Sequence, residues 1–274
     1  MKVKKVLEPF PHLIIEELID SKVYSSLKFP KLVKRENTRA GWDLFKGELG
    51  YDEFFESDPN WKLVRELLDS PNFIKFVLSQ FKEELENIDI DISDLKFVDY
   101  IEKPYETNLP KINFSNKFDK RVFSRFDLQA SDGTTLRKPH VDNMRRFVGG
   151  VLFFCDGNEE GIEGGEFGIW EDLKYKDDRK IHSPKLVKTY PIKHNTMYIF
   201  LNTNNSFHGP SAITSIKGFR KWSYFSVSAF QNIFTPKSSF FKKLFLEIKY
   251  LLLYLGVSLK RDFRDSNAHQ DQKK

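Results

Sequence analysis

The sequence predicts a mainly β protein, a sandwich or barrel of strands with helices packed against it. Three observations point there. Residues 111–235 carry short apolar runs separated by turn residues, at a density that suits an all-β core. One of these runs, residues 122–130, alternates: Arg125, Asp127 and Gln129 share one face and Phe126 and Leu128 the other. Helix patterns fall before residue 110 and after residue 236, so the regular exchange of strand and long helix that marks a parallel α/β sheet is missing. The expected organisation is one unit over residues 1–235, helix-rich over 1–110 and β over 111–235, then a helix and polar tail over 236–274.

Taken in order, Pro11-His12-Leu13-Ile14-Ile15-Glu16 reads as a short strand, followed by a helix near Ser21–Leu27 that Pro30 closes off. Residues 31–57 are charged and aromatic without a period, and are expected to be loop. Asp58-Pro59 is a helix start, with Asp58 as cap and Pro59 at the first position. Leu63, Leu67 and Leu68 give that helix an apolar stripe. Ser70-Pro71 repeats the signal, and Phe73, Phe76, Val77, Phe81 and Leu85 follow at helical spacing as core packing. Beyond the alternating strand, Asp132-Gly133 is a turn. Phe147–Phe154 is a buried strand, Gly164-Gly165-Glu166-Phe167-Gly168-Ile169-Trp170 a glycine-led one, and Met197–Leu201 and Trp222–Phe230 two more. Phe241, Leu244, Phe245, Ile248, Leu251, Leu252 and Leu255 form an amphipathic helix, a candidate contact to the core, a subunit or a membrane surface through residues 240–257.

Composition narrows the class. The chain has 274 residues, 40% apolar and 15% aromatic, which excludes a disordered or fibrous protein. Its one cysteine, Cys155, excludes an internal disulfide and a cysteine-based zinc site, and is expected to be buried and inert. A net charge of +5 from 44 basic and 39 acidic residues does not suggest a nucleic-acid partner. Residues 240–257 include Lys242, Lys243, Glu247 and Lys249 and do not read as a membrane span, and the opening residues lack the apolar run of a signal peptide. The expected location is the cytoplasm.

The chemistry is sought among six histidines. His140-Val141-Asp142 is a His-x-Asp at the end of an apparent strand, where alternate residues project to the same face and both ligand atoms can converge on one ion. A His-x-Asp alone more often marks a surface turn, and it is the ordered setting and Arg220 that raise the metal reading. His208, after the strand Met197–Leu201 and a polar turn, is the best third ligand. Two histidines and one carboxylate on one side of an ion leave the other side open, which suits non-haem Fe(II) meeting O2 and a cosubstrate. Arg220 lies twelve residues after His208 and could hold the far carboxylate of a dicarboxylate. His182 and His194 read as surface residues, Asn202 and Asn204 as turn formers, and Phe200 and Trp170 as core.

The order His140-x-Asp142, Gly164-Gly165-Glu166-Phe167, Ser206-Phe207-His208-Gly209-Pro210 and Gly218-Phe219-Arg220 resembles the Fe(II)- and 2-oxoglutarate-dependent oxygenase superfamily, in its prolyl-hydroxylase-like branch. Residues 8–18 and Lys28-Phe29-Pro30 resemble the start of such proteins, and the likeness covers roughly residues 8–230. It implies a double-stranded β-helix, that is a distorted, cupin-like jelly roll with helices outside one sheet. It implies Fe(II) held by His140, Asp142 and His208, with 2-oxoglutarate and O2 as cosubstrates and the 5-carboxylate of 2-oxoglutarate on Arg220. The activity implied is dioxygenase chemistry, hydroxylation of an unactivated C–H bond coupled to formation of succinate and CO2. An aspartate at 142, where related halogenases have none, favours hydroxylation.

The pattern departs from the family at one point. Many relatives have Arg-x-Ser, whereas Trp222 stands two residues after Arg220, and Lys221 with Ser223 on the opposite face is a rival cosubstrate pair. Arg125 and Gln129 bind cosubstrate if their face is the barrel interior, and are solvated if it is not; Asn143, Arg145 and Arg146 are candidates for contact with an anionic substrate. The expected substrate is a small molecule or a glycan. The alternatives are a peptidyl-prolyl hydroxylase, a cupin-like metal isomerase, and a jelly-roll module that binds carbohydrate or protein without catalysis.

Overall fold

The strand and helix signals assemble in a computed structural model that describes residues 1–35, 41–100, 119–134 and 137–234. The amphipathic helix expected at 240–257 lies outside the described residues. Strands β1 (Lys2–Val6) and β2 (His12–Glu16) precede helix α1 (Ser21–Ser26), strand β3 (Trp42–Leu44), helices α2 (Tyr51–Ser57), α3 (Pro59–Asp69), α4 (Pro71–Ser79) and α5 (Lys82–Glu86), and strand β4 (Lys96–Phe97). The remaining strands are β5 (Arg121–Ser131), β6 (Arg146–Phe153), β7 (Phe167–Asp172), β8 (Pro184–Tyr190), β9 (Thr196–Leu201), β10 (His208–Pro210) and β11 (Arg220–Ala229). A large sheet runs in the order β1-β2-β9-β6-β11-β5-β3, with β4 beside β5, and a small sheet runs β10-β7-β8. Neighbours in sequence are often apart in the sheets, as in a jelly roll, and a mainly β fold with packed helices is what the chain adopts.

Register decides which face each side chain takes, because residues directly opposite in an antiparallel pair point the same way. Trp222 lies opposite both Gln129 and Phe153, Tyr224 opposite Asp127 and Val151, and Ser226 opposite Arg125 and Gly149. Phe200 lies opposite Gly149 and His12. All of these face the small sheet, where Phe153, Phe167, Ile169, Tyr190, Tyr198, Phe200 and Trp222 form one buried cluster. The other face, with Leu128, Val148, Ile199, Phe225 and Val227, packs against the helices. Trp61 is fully buried there among Phe29, Phe54, Phe55 and Phe154, and its indole N–H donates to the Lys28 carbonyl at 3.0 Å. Burial of one such ring contributes roughly 3–5 kcal/mol.

Asp58 and Ser70 cap α3 and α4 as their sequence predicts: Asp58 accepts from the amides of Asn60 and Trp61, and Ser70 from that of Phe73. Three expectations are corrected, and one strand was not foreseen. The stripe of α3 is Trp61, Val64 and Leu68, whereas Leu63 is half exposed. Residues 31–57 contain β3 and α2; β3 pairs with β5 some 85 residues later and is bridged by Lys34 at Trp42, and α2 starts at Gly50 with no capping side chain. The edge strand β8 escapes a hydrophobic pattern because six of its seven residues are exposed. The segment around His140-Val141-Asp142 is a loop and not a strand, tied down by the single bridge His140–His208. Among the described residues no helix is long and apolar enough to cross a membrane.

Candidate metal centre

The His140–His208 bridge brings the two histidines together through reciprocal backbone bonds: His140 N–H donates to the His208 carbonyl at 3.0 Å, and His208 N–H to the His140 carbonyl at 2.9 Å. Their rings are 4.4 Å apart. Asp142, fully shielded, points into the gap, with Oδ1 3.5 Å from His140 Nε2 and Oδ2 4.0 Å from His208 Nε2. The three donor atoms lie within 4.8 Å of one another. Adjacent donors on an octahedral ion with bonds of roughly 2.1 Å sit ~3 Å apart, so the group needs only a small contraction to ligate.

The tautomers are set by the second nitrogens. His140 Nδ1 lies 2.9 Å from the Lys138 carbonyl and His208 Nδ1 3.0 Å from that of Ser206. Each Nδ1 therefore carries the proton and donates it, leaving a lone pair on Nε2, the arrangement that metal-bound histidines use. His140 Nε2 is buried and has no hydrogen-bond partner among the described residues, and it faces Asp142 Oδ1, which Arg146 Nη1 approaches to 2.9 Å. A divalent cation between them satisfies the nitrogen and takes a further lone pair of the carboxylate, so the donor set fits iron. Oδ2 is held by Tyr224, whose hydroxyl donates to it at 3.0 Å; burial pushes that hydroxyl up, so it stays a donor.

Protonation states agree. Burial pulls His208 down to about 4 and His140 well below its usual range. Burial by itself raises Asp142, but the charge of Arg146, the contact with His140 and the nearby His208 and Arg137 outweigh it and hold the carboxyl well below the ordinary range. At neutrality the site presents two neutral imidazoles and one carboxylate. In the metal-free protein a buried neutral His208 costs stability in acid: its contribution is complete above the unfolded value of 6.5 and is lost as pH falls from there towards about 4. At about 1.4 kcal/mol per pH unit this amounts to ~3 kcal/mol. Urea unfolding between pH 7.5 and pH 4.5 is expected to show that loss, and His208→Gln to flatten it (pH values about those limits).

The carboxylate needs space that only glycine leaves. A Cβ on Gly149 would fall 2.5 Å from Asp142 Oδ2 and 2.6 Å from Phe200 Cζ, and the Phe200 ring lies 3.9 Å from that of His208. Gly149→Ala is therefore expected to retain the fold, at a cost of about 1–3 kcal/mol, but to push Asp142 off Tyr224 and weaken Mn(II) binding at least ~10-fold. Thermal melting and a metal titration on one preparation check both.

The same loop is gripped from behind by residues that the sequence reading missed or set aside. Arg179, on the β7–β8 connection, donates to the Asp142 carbonyl at 2.5 Å, to Asn204 Oδ1 at 2.8 Å and to Asn202 Oδ1 at 3.2 Å. Asn202, read as a turn former, is wholly buried and donates to the carbonyls of Asn143 at 2.7 Å and Arg146 at 3.0 Å. Asn202 sits at the end of a buried strand, a weak signal; Arg179 had none.

The expected cosubstrate and substrate residues separate. Arg220 is buried on the metal-facing side, its guanidinium 4.3 Å over the Trp222 ring and 5.0 Å over that of Phe153, with Nε lacking a hydrogen-bond partner among the described residues. Lys221 faces the other way and pairs closely with Glu160; Ser223 Oγ is buried on that same opposite face. Arg125 and Gln129 do lie on the interior face, but Arg125 binds Asp127 at 2.6 Å, and Gln129 donates to Asp43 at 2.6 Å and accepts from the Trp222 indole at 3.0 Å. Asn143 is exposed and its side chain accepts from the Arg145 amide at 3.0 Å, while the Arg145 carbonyl accepts from Ala229. The neighbour that does reach Asp142 is Arg146. Cys155 is buried, with its thiol pushed up to about 11 by that burial.

No family model and no curated protein sequence matches the chain. Solved structures do. A prolyl 4-hydroxylase from Phytophthora capsici aligns over 77% of this chain at 16% identity and TM-score 0.39. One from Pseudomonas putida aligns over 79% of this chain and 91% of its own, at 11% identity and TM-score 0.38. An oxidoreductase of the 2OG-Fe(II) oxygenase family from Burkholderia pseudomallei aligns over 87% of this chain and 76% of its own, at 10% identity and TM-score 0.35. The chain spans 56% of the length of the first of these. The chemistry rests on the side chains around Asp142.

Proposed function

We propose that this protein is an Fe(II)- and 2-oxoglutarate-dependent dioxygenase that hydroxylates an unactivated C–H bond and releases succinate and CO2. The observation that carries this reading is the buried convergence of His140, Asp142 and His208, whose donor atoms lie within 4.8 Å of one another, with His140 Nε2 lacking a hydrogen-bond partner among the described residues. A binding module without metal would leave that nitrogen unsatisfied at a cost of about 1–3 kcal/mol. His140, Asp142 and His208 hold iron, which when bound supplies the redox chemistry that couples 2-oxoglutarate decarboxylation to C–H oxidation by O2. Tyr224 fixes Oδ2 of Asp142 and so presents Oδ1 to the ion. Arg220 receives the far carboxylate of 2-oxoglutarate, and Trp222 and Phe153 exclude water around its guanidinium, which strengthens that contact. An isomerase using the same triad would have no need of Arg220. The test is 2-oxoglutarate binding by iron-loaded protein and succinate formation in air, both abolished by a chelator. Iron-loaded protein that neither binds 2-oxoglutarate nor forms succinate overturns the proposal.

A further inference from the structure

Two guanidiniums converge on the carboxylate that faces the metal position. Arg146 Nη1 lies 2.9 Å and Arg137 Nη2 3.6 Å from Asp142 Oδ1. Arg146 comes from the first residue of β6 and Arg137 from the loop before His140, so two separate segments supply the charges. Arg146 is also laid over the Tyr224 ring, its guanidinium carbon 5.1 Å from the centroid, and Tyr224 is itself anchored on Asp142. The guanidinium plane is thereby held in place beside the triad.

Neither arginine is placed to serve the cosubstrate. Arg220 and Tyr224 are four residues apart on β11, roughly 13 Å along an extended strand. The far carboxylate of 2-oxoglutarate is at the Arg220 end, whereas Arg137 and Arg146 stand at the Tyr224 end, around Asp142. A divalent ion on Oδ1 places two positive charges where the guanidiniums now point, and weakens their hold on that oxygen. Arginine forks match the geometry of a planar or tetrahedral oxyanion, which they bind through parallel N–H donors.

We propose, on the premise of the oxygenase reading, that Arg137 and Arg146 form a receptor for an oxyanion carried by the substrate, a carboxylate or a phosphate ester, and so place the bond to be oxidised beside the metal. The substrate class is thus an anionic small molecule or an anionic residue of a polymer, and a neutral sugar is excluded.

Calorimetric titration of the full chain, loaded with Mn(II) and saturated with 2-oxoglutarate so that Arg220 is occupied, tests this with methyl phosphate, propionate and methyl glucoside as probes. An anion is expected to bind and the glucoside not to; the tighter of the two anions tells phosphate from carboxylate. Arg146→Gln and Arg137→Gln are each expected to weaken the anion at least ~10-fold while Mn(II) affinity holds or rises, since one competitor for Asp142 is gone. Residues that merely supported the triad would lower metal affinity instead. Anion binding that is absent in the wild type or unchanged in both variants, or a glucoside bound as tightly as the anions, overturns the assignment. Should the wild type fail to take up Mn(II) or 2-oxoglutarate in the preceding titrations, the oxygenase reading falls, and this one with it.

Discussion

Asp142→Ala is expected to lower Mn(II) or Fe(II) affinity by at least ~100-fold and to abolish succinate formation. The loss exceeds that of an ordinary ligand because Asp142 is the only anion of the triad and is the shared partner of Arg146, Arg137 and Tyr224. Without it, two guanidiniums face an incoming divalent cation with nothing between, and Coulomb repulsion adds to the missing bond. Asp142→Asn separates these effects. It keeps the shape but removes the charge, so its metal affinity should fall short of wild type by nearly as much. The fold should survive both changes, since Asn202 and Arg179 grip the loop through backbone carbonyls that neither change touches. Metal titration alongside far-UV circular dichroism reads both quantities. An alanine variant that still turns over 2-oxoglutarate in an iron-dependent way removes Asp142 from the metal set.

Signals that act locally were legible in the sequence. Asp58-Pro59 and Ser70-Pro71 announce helices because a capping side chain satisfies amides two or three residues away. The alternation of Arg125, Asp127 and Gln129 gives the face of β5, and the same parity places Arg220, Trp222 and Tyr224 together. Partners far along the chain are what escaped. β3 has only three residues and pairs with β5, and β8 is an exposed edge with no apolar face to display. The triad was legible because its two halves carry distinctive residue types, but the reason they meet was misread. His140 and Asp142 converge from a loop stapled to β10, not from strand alternation. Arg179 reaches the carbonyl of Asp142, and a bond to backbone leaves no trace in the residue type of its acceptor.

Substitution of Arg220 should separate the two cosubstrate assignments by a wide margin. Arg220→Ala is expected to raise the 2-oxoglutarate concentration needed for half-maximal succinate formation ~100-fold or more, as loss of a buried, charge-assisted bidentate contact of about 3 kcal/mol or more implies. Metal affinity should be nearly unchanged, because Arg220 touches the rings of Trp222 and Phe153 and no member of the triad. Lys221→Ala should leave the requirement within a few-fold of wild type. Its ammonium is committed to Glu160 on the opposite face, and what it loses is a partly exposed ion pair worth about 1 kcal/mol of stability at most. Arg220→Lys keeps the charge but not the fork, and falls between. Burial explains why the contrast should be so large. An arginine that is 6% exposed, with Nε unpartnered among the described residues and aromatic rings against it, already bears the desolvation cost in the ligand-free protein. A carboxylate arriving there gains the contact without that cost being charged again. The reverse order, a large effect at Lys221 and a small one at Arg220, would move the cosubstrate to the other face of β11 and away from the metal-facing interior altogether.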